Sequence, residues 1–254
     1  MSGADKYHYA GTRAILFDEK SRFEKAEKIY LAIKENYSGD LAEAIALDIG
    51  CSSGLIGLWL AGKVREIYGI DIDDDITGYV RKIEERAHNF HFMQAGGDRL
   101  PFEDGKFDVI ISNIMYNLMP TDMQEKMMSE IHRCLKPTGV CYFAGPNKLC
   151  PVNGKYRLPF IDALPLSLAR IYAKALSPIK ETYNEFPKNV FGMQRMFAPL
   201  FEYKDITLKI IDDPDRYNFP LPQNGIARVA ASLAARIFYV FMPNYIFILR
   251  KKPE

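Results

Sequence analysis

The stretch Ala46-Leu47-Asp48-Ile49-Gly50-Cys51-Ser52-Ser53-Gly54-Leu55-Ile56-Gly57 constrains this chain more than any other. An apolar run leads into it and a segment of helical periodicity follows, so it reads as strand, glycine-rich turn and helix. Gly50 and Gly54 stand where the backbone must turn sharply and pass close to a ligand, and glycine permits both. The free N–H groups of the following helix point at whatever fills the turn. Asp48, just before the turn, sharpens the reading. A phosphate would be repelled by that carboxylate, whereas a ligand bearing an ammonium group would be held by it.

A second buried-strand pattern, Glu66 to Asp71, ends in a carboxylate. An acid at the tip of the second strand of a Rossmann-like sheet is placed to accept hydrogen bonds from two ribose hydroxyls. Further landmarks follow in order: Leu100-Pro101-Phe102, then Phe107-Asp108-Val109-Ile110-Ile111-Ser112-Asn113, then Leu135-Lys136-Pro137-Thr138-Gly139. As a set, over about residues 45–147, these resemble class I S-adenosylmethionine (SAM)-dependent methyltransferases of the type 11-like group.

The resemblance implies an α/β fold: a Rossmann-like, doubly wound sheet of seven strands, mostly parallel with the last antiparallel, and helices on both faces. It implies SAM as cofactor, S-adenosylhomocysteine as product, and a single domain over residues 1–254. Within that domain, 1–40 would form an N-terminal cap region and 146–200 a lid between strands five and six. Gly50, Cys51, Ser52 and Gly54 would pass by the amino-acid end of the cofactor, with Asp48 near its ammonium. Asp71 would hold the ribose, Ile72 would pack on the adenine, and Asn113 would lie by the methionine portion.

The loop after strand three departs from the family pattern. Methyltransferases commonly carry Gly-Asp-x-x-x-Leu-Pro-Phe there, with the acid on the adenine amino group. Here Ala95-Gly96-Gly97-Asp98-Arg99-Leu100 puts Gly96 in the acidic position. Either Asp98 reaches the adenine, or the backbone of Gly96 and Gly97 meets it.

Strands are expected at Ala44–Ile49, Glu66–Asp71, Phe90–Gln94, Phe107–Ser112, Val140–Gly145, Tyr203–Ile211 and Tyr245–Leu249. Ser21 can cap a helix to about Tyr37, and Thr121 or Asp122 one to about Leu135. A helix over about Asp75–Ala87 starts among aspartates, where negative charge is favoured. A last helix, about Gly225–Phe241, has an apolar side and an Arg228/Ser232/Arg236 side. It is expected to cover the sheet, although it leaves room for a peripheral membrane contact. Asp108 lies at the start of its strand, away from the ligand end, and reads as structural.

Methyl transfer needs no fixed triad, because the cofactor carries the reactivity and the protein aligns the partners. Candidates for acceptor contact or catalysis are Tyr116, Asn117 and Tyr156. A general base could come from His8, Tyr116, Tyr156 or Glu181. The net charge of +1 argues against a nucleic-acid substrate. Cys51, Cys134, Cys141 and Cys150 show no metal-ligand spacing. No secretory signal opens the chain and no run is long enough to span a bilayer, so a cytoplasmic location is expected. The acceptor is expected to be a small molecule or a glycan- or lipid-linked one, from the neutral charge and the aromatic, proline-rich lid. Two other readings stand beside this: a nicotinamide dehydrogenase, opposed by the turn's G-x-S-x-G-x-x-G spacing, and a catalytically silent methyltransferase fold acting as a binding subunit.

Overall fold

The computed structural model describes residues 14–179, 181–219 and 224–252. Its strands are β1 Ile45–Ile49, β2 Glu66–Asp71, β3 Phe90–Gln94, β4 Phe107–Asn113, β5 Leu135–Pro146, β6 Phe201–Asp205 and β7 Asn244–Lys251. They form one 7-stranded sheet in the order β3-β2-β1-β4-β5-β7-β6. The strands from β3 across to β5 pair in parallel, and β7 runs antiparallel to both β5 and β6. This is the doubly wound sheet that the sequence led us to expect.

The helices are α1 Glu19–Asn36, α2 Leu55–Ala61, α3 Thr77–Glu84, α4 Thr121–Cys134, α5 Leu166–Leu176, α6 Val190–Phe197, α7 Thr207–Asp212 and α8 Gly225–Ile237. Side chains alternate across each strand, so each strand feeds two cores. Ala46, Val109 and Ile111 meet Ala26, Ile29, Leu55 and Leu60 on one face, beneath α1 and α2. Leu47, Ile49 and Ile110 meet Met127, Ile131, Met193 and Phe197 on the other, beneath α4 and α6. Asp48 therefore shares the parity of Ala46 and looks toward α1.

Several local expectations shift. Asp18, not Ser21, caps α1, its Oδ2 accepting from Ser21 N at 3.2 Å. Pro120 precedes α4 with no side-chain cap, so neither Thr121 nor Asp122 serves as one. The expected strand Tyr203–Ile211 divides into β6 and α7. Asp205 Oδ1 accepts from Thr207 N at 2.8 Å, and Ile206 and Ile210, one helical turn apart, both enter the α1-side core. Asp108 is structural, as its position implied: it accepts from Tyr37 Oη, Ile45 N and Lys136 Nζ, joining α1, β1 and β5 at the amino end of the sheet.

The largest departure is α8. Its Arg228 pairs through both guanidinium nitrogens with Asp215, and Arg236 likewise with Asp212 at the end of α7. Ser232 Oγ adds a 2.6 Å bond to Asp212. The polar side thus faces the protein and only Ala235 of the helix is buried. Ile226, Val229, Leu233 and Ile237 stand exposed instead of covering the sheet.

Candidate cofactor and acceptor site

The strand order reverses between β1 and β4, and ligands in such sheets bind outside the carboxyl ends of the strands at that point. The Gly50–Gly54 turn lies there. Gly50 N and Cys51 N donate to Ile70 O at 2.8 and 2.9 Å, folding the turn over the end of β2. Gly50 has φ +72°, and a Cβ there would sit 2.5 Å from Met115 Cγ. Ser52, with φ 51°, shares the left-handed conformation although it is not glycine. Its amide donates to Asp71 Oδ2 at 2.8 Å, and Asp73 N donates to Oδ1 at 3.0 Å. Both Asp71 oxygens are thereby aimed, with lone pairs left for further donors. Burial raises the Asp71 carboxyl above its ordinary range, partly offset by these amide bonds.

Asp48 is buried, and its Oδ2 has no hydrogen-bond partner. Burial pushes it up to about 7, against the pull of the Arg22 guanidinium and with a smaller push from Asp71. Arg22 Nε is also buried without a partner. Burial holds this guanidinium below its ordinary value, with Asp48 and Cys51 acting the other way. Ser52 Oγ, Ser53 Oγ and Ser112 Oγ are unpartnered as well. A buried polar atom left unpaired costs about 1–3 kcal/mol, and such a concentration at the carboxyl end of the sheet is what a polar ligand would relieve.

Sequence reasoning missed Arg22, although a signal existed. It precedes Ala26, Ile29 and Ile33 at steps of four, three and four, so a cation sits in the buried stripe of α1. Ile114 was missed too: it has φ 53°, an outlier for a β-branched residue, at the end of β4 beside the cleft. No sequence signal announces it.

On the far side of the turn, a Cβ on Gly96 would lie 2.8 Å from Asp98 Oδ1 and 3.6 Å from Ile72 Cδ1. One on Gly97 would meet Ile49 and Met115. Asp98 therefore folds back over Gly96 beside Ile72, and Ile72 keeps its side chain exposed at the cleft. Asn113 is half-buried at the end of β4, paired in register with Ala144. The structure thus gathers Asp48, Gly50, Cys51, Ser52, Gly54, Asp71, Ile72, Gly96, Gly97, Asp98 and Asn113 along one edge.

The acceptor-side candidates fall out differently. Tyr116 is fully buried; its hydroxyl accepts from Lys188 N at 2.8 Å and donates to Pro146 O at 2.9 Å. Burial raises its pKa strongly. It ties together the two ends of the β5–α6 connection, where Asn147 bridges Lys188. Tyr156 is buried in that connection's own small core with Leu158, Ile161, Ala169, Ala173 and Tyr183, and its hydroxyl donates to Thr182 O. Neither hydroxyl faces the cleft. Asn117 Nδ2 donates to Glu185 Oε2 at 3.2 Å, while its Oδ1 is buried and unpartnered. Lys155 Nζ reaches Glu181 at 2.8 Å and Glu185 at 3.8 Å. Asn117, Lys155, Glu181 and Glu185 form a polar cluster between the loop after β4 and the β5–α6 connection. His8 lies outside the described residues.

Residues 46–139 match the model of a family described as a methyltransferase domain. Over this stretch, from β1 into β5, the chain is similar to SAM-dependent methyltransferases. It is 30% identical over 159 residues to a demethylmenaquinone methyltransferase of Lactococcus lactis, a match covering 59% of this chain and 62% of that one. The chain spans less than two thirds of the length of the curated relatives it matches first, 39% of one and 62% of the Lactococcus lactis protein. In fold it is similar to the PH0226 protein of Pyrococcus horikoshii, with a TM-score of 0.62 at 15% identity, covering 97% of this chain and 100% of that one. It is also similar to a phosphoethanolamine N-methyltransferase of Haemonchus contortus solved with phosphoethanolamine and S-adenosylhomocysteine. There the TM-score is 0.58 at 10% identity, over 94% of this chain and 45% of the other.

Proposed function

We propose that the chain transfers the methyl group of SAM to a small, apolar or glycan- or lipid-linked acceptor. The observation that carries this reading is the buried Asp48 beside the half-buried Arg22, each with an unpartnered buried polar atom on the α1 side of the sheet. Together they complement a zwitterion. Asp48 would take the ammonium of the cofactor's amino-acid end, and Arg22 its carboxylate, in a bond strengthened by the low local dielectric. Asp71 would hold the ribose hydroxyls. Asp98 would take the adenine amino group, with Ile72 on the ring face.

When bound, the cofactor supplies an electrophilic methyl group on a sulfonium, and the rest is alignment. Asn113 and the strained Ile114 end β4 beside that position and would set the angle of approach. The polar cluster of Asn117, Lys155, Glu181 and Glu185 would orient the acceptor from the other side. Glu185, buried against Asn117, is our choice for the group that takes a proton from an acceptor hydroxyl or amine. The β5–α6 connection would act as the lid, its neck fixed by Tyr116. The name of the Lactococcus lactis relative, a demethylmenaquinone methyltransferase, fits an apolar acceptor of this kind.

The binding-only reading rested on Gly96 and Gly97 in place of an acid. Asp98, folded back over Gly96, offers a carboxylate at that place and favours an active cofactor site instead.

Thermal unfolding with S-adenosylhomocysteine tests the cofactor half directly. At about 100 times its dissociation constant the ligand should stabilise the protein by about 2.7 kcal/mol. That is a rise of several degrees at roughly 2–4 °C per kcal/mol. The rise should vanish in Asp71→Ala while that variant still unfolds cooperatively. A folded wild type with no rise would overturn the proposal.

A further inference from the structure

Helix α8 is amphipathic and mounted the wrong way round for a core helix. Its arginines and serine are anchored inward to Asp212 and Asp215, and Ile226, Val229, Leu233, Ile237, Phe238 and Phe241 are exposed along the helix and the turn after it. Burying a large apolar side chain stabilises a fold far more than an exposed ion pair does. The inward ion pairs alone do not balance a face of that size. The orientation gains its sense from a partner on the outside.

A second surface of the same kind lies on the connection that is tied to it. The end of this segment is stitched to the start of the β5–α6 connection, Asn147 Nδ2 donating to Val240 O and Met242 O at 2.9 and 2.8 Å. Within that connection α5 exposes Leu168, Ile171 and Leu176. Charge identifies the partner. Between residues 146 and 180 the sequence carries Lys148, Arg157, Arg170, Lys174 and Lys180, besides a Lys155 held by Glu181 and Glu185, against the single carboxylate of Asp162, and Asp162 is buried with Asn153 and Tyr183. The two arginines of residues 224–241 are spent on Asp215 and Asp212, so the unpaired excess lies on the α5 segment. In a chain of net charge +1 this is a local basic excess, and it accompanies the exposed apolar face of α5 on the connection that Asn147 ties to the end of the α8 segment.

We infer that α8 and α5 form a docking surface for an anionic lipid bilayer. The apolar side chains would enter the headgroup–acyl boundary, and exposed cations such as Lys148, Arg157 and Lys174 would meet anionic headgroups. No helix among the described residues is long and apolar enough to cross a membrane, so the contact is a surface one. The inference stands on its own beside the methyl-transfer reading, since it uses none of the cofactor residues.

Sedimentation of the whole chain with sucrose-loaded vesicles tests it, using phosphatidylcholine alone and with about 30% phosphatidylglycerol. The anionic vesicles should bind at least about tenfold more protein than the neutral ones. Leu233→Glu with Ile237→Glu should lower that binding by about tenfold or more, and Lys174→Glu by about fivefold. Each variant must keep the wild-type thermal shift with S-adenosylhomocysteine, which separates lost docking from lost folding and from failure of the cofactor reading. Vesicle binding absent in the wild type, or unchanged in the double variant, overturns the inference. So does a vesicle-free dimer that the double variant dissolves, which would assign the face to a second copy of this chain.

Discussion

From β1 to the end of β4 the chain leaves buried polar atoms unpaired at the ligand end of the sheet; from β5 to β7 it pairs its buried polar groups and, outside the two cores, leaves large apolar side chains exposed. In the first region Asp48 Oδ2, Ser52 Oγ, Ser53 Oγ and Ser112 Oγ lie buried without partners at the carboxyl ends of β1 and β4 and in the turn after β1. In the second, the polar groups of Asn153, Asp162 and Tyr183 saturate one another, while Ile171, Leu176, Leu233 and Ile237 face outward. Unpaired polar atoms in a closed cleft are relieved by a polar ligand, and unpaired apolar atoms on a surface by an apolar one. The two regions differ because they are complementary to different partners.

The sharpest way to break the first half of that comparison is Gly50→Val. A β-branched residue at φ +72° is an outlier, and its Cβ would sit 2.5 Å from Met115 Cγ. Met115 can give way in part, but the backbone cannot. We expect a loss of about 3 kcal/mol in urea unfolding together with loss of the S-adenosylhomocysteine shift. A loss below about 1 kcal/mol with binding intact would show that the turn is looser than drawn.

A smaller effect lies in the charge of Asp48. The folded protein holds this proton up to about pH 7, whereas the ordinary value is 3.8. Between those values the folded state binds the extra proton, so the ligand-free protein loses stability as pH rises through that window. Ligand affinity runs the other way, because an ammonium needs the ionised carboxylate. Affinity for S-adenosylhomocysteine should rise about tenfold from pH 5 to 6 and flatten near 7. Asp48→Asn should bind more weakly and lose the slope, as isothermal titration across that range would record. A wild-type affinity independent of pH would remove Asp48 from the ammonium site.

Sequence reading reached these two halves unequally, for physical reasons. The glycines, the strand-tip acid and the apolar strand runs are local signals, and β1 to β4 lie close to where those signals put them. The segment Ile206-Thr207-Leu208-Lys209-Ile210 alternates like a strand and spaces Ile206 and Ile210 like a helix, so periodicity could not separate the two. Tyr116 stood in the right loop, but only the three-dimensional neck formed with Pro146 and Lys188 reveals that its hydroxyl is spent on backbone groups. The amphipathic pattern of α8 was legible, and its orientation was not. A hydrophobic face says that it needs a partner without saying whether that partner belongs to the same chain.

The finest test of the comparison sets two leucines against each other. Leu60 in α2 is 2% exposed beneath α1, and Leu233 in α8 is 57% exposed. Identical truncations remove the same atoms from opposite surroundings. Leu60→Ala should cost about 2–5 kcal/mol, through lost transfer free energy and the cavity left behind. Leu233→Ala should stay within about 0.5 kcal/mol, since little area is lost and alanine is the better helix former. Urea unfolding of both variants checks this without any ligand. A cost above about 1 kcal/mol at Leu233 would mean that the face is already covered within the chain, and the outward apolar surface would then need no membrane to explain it.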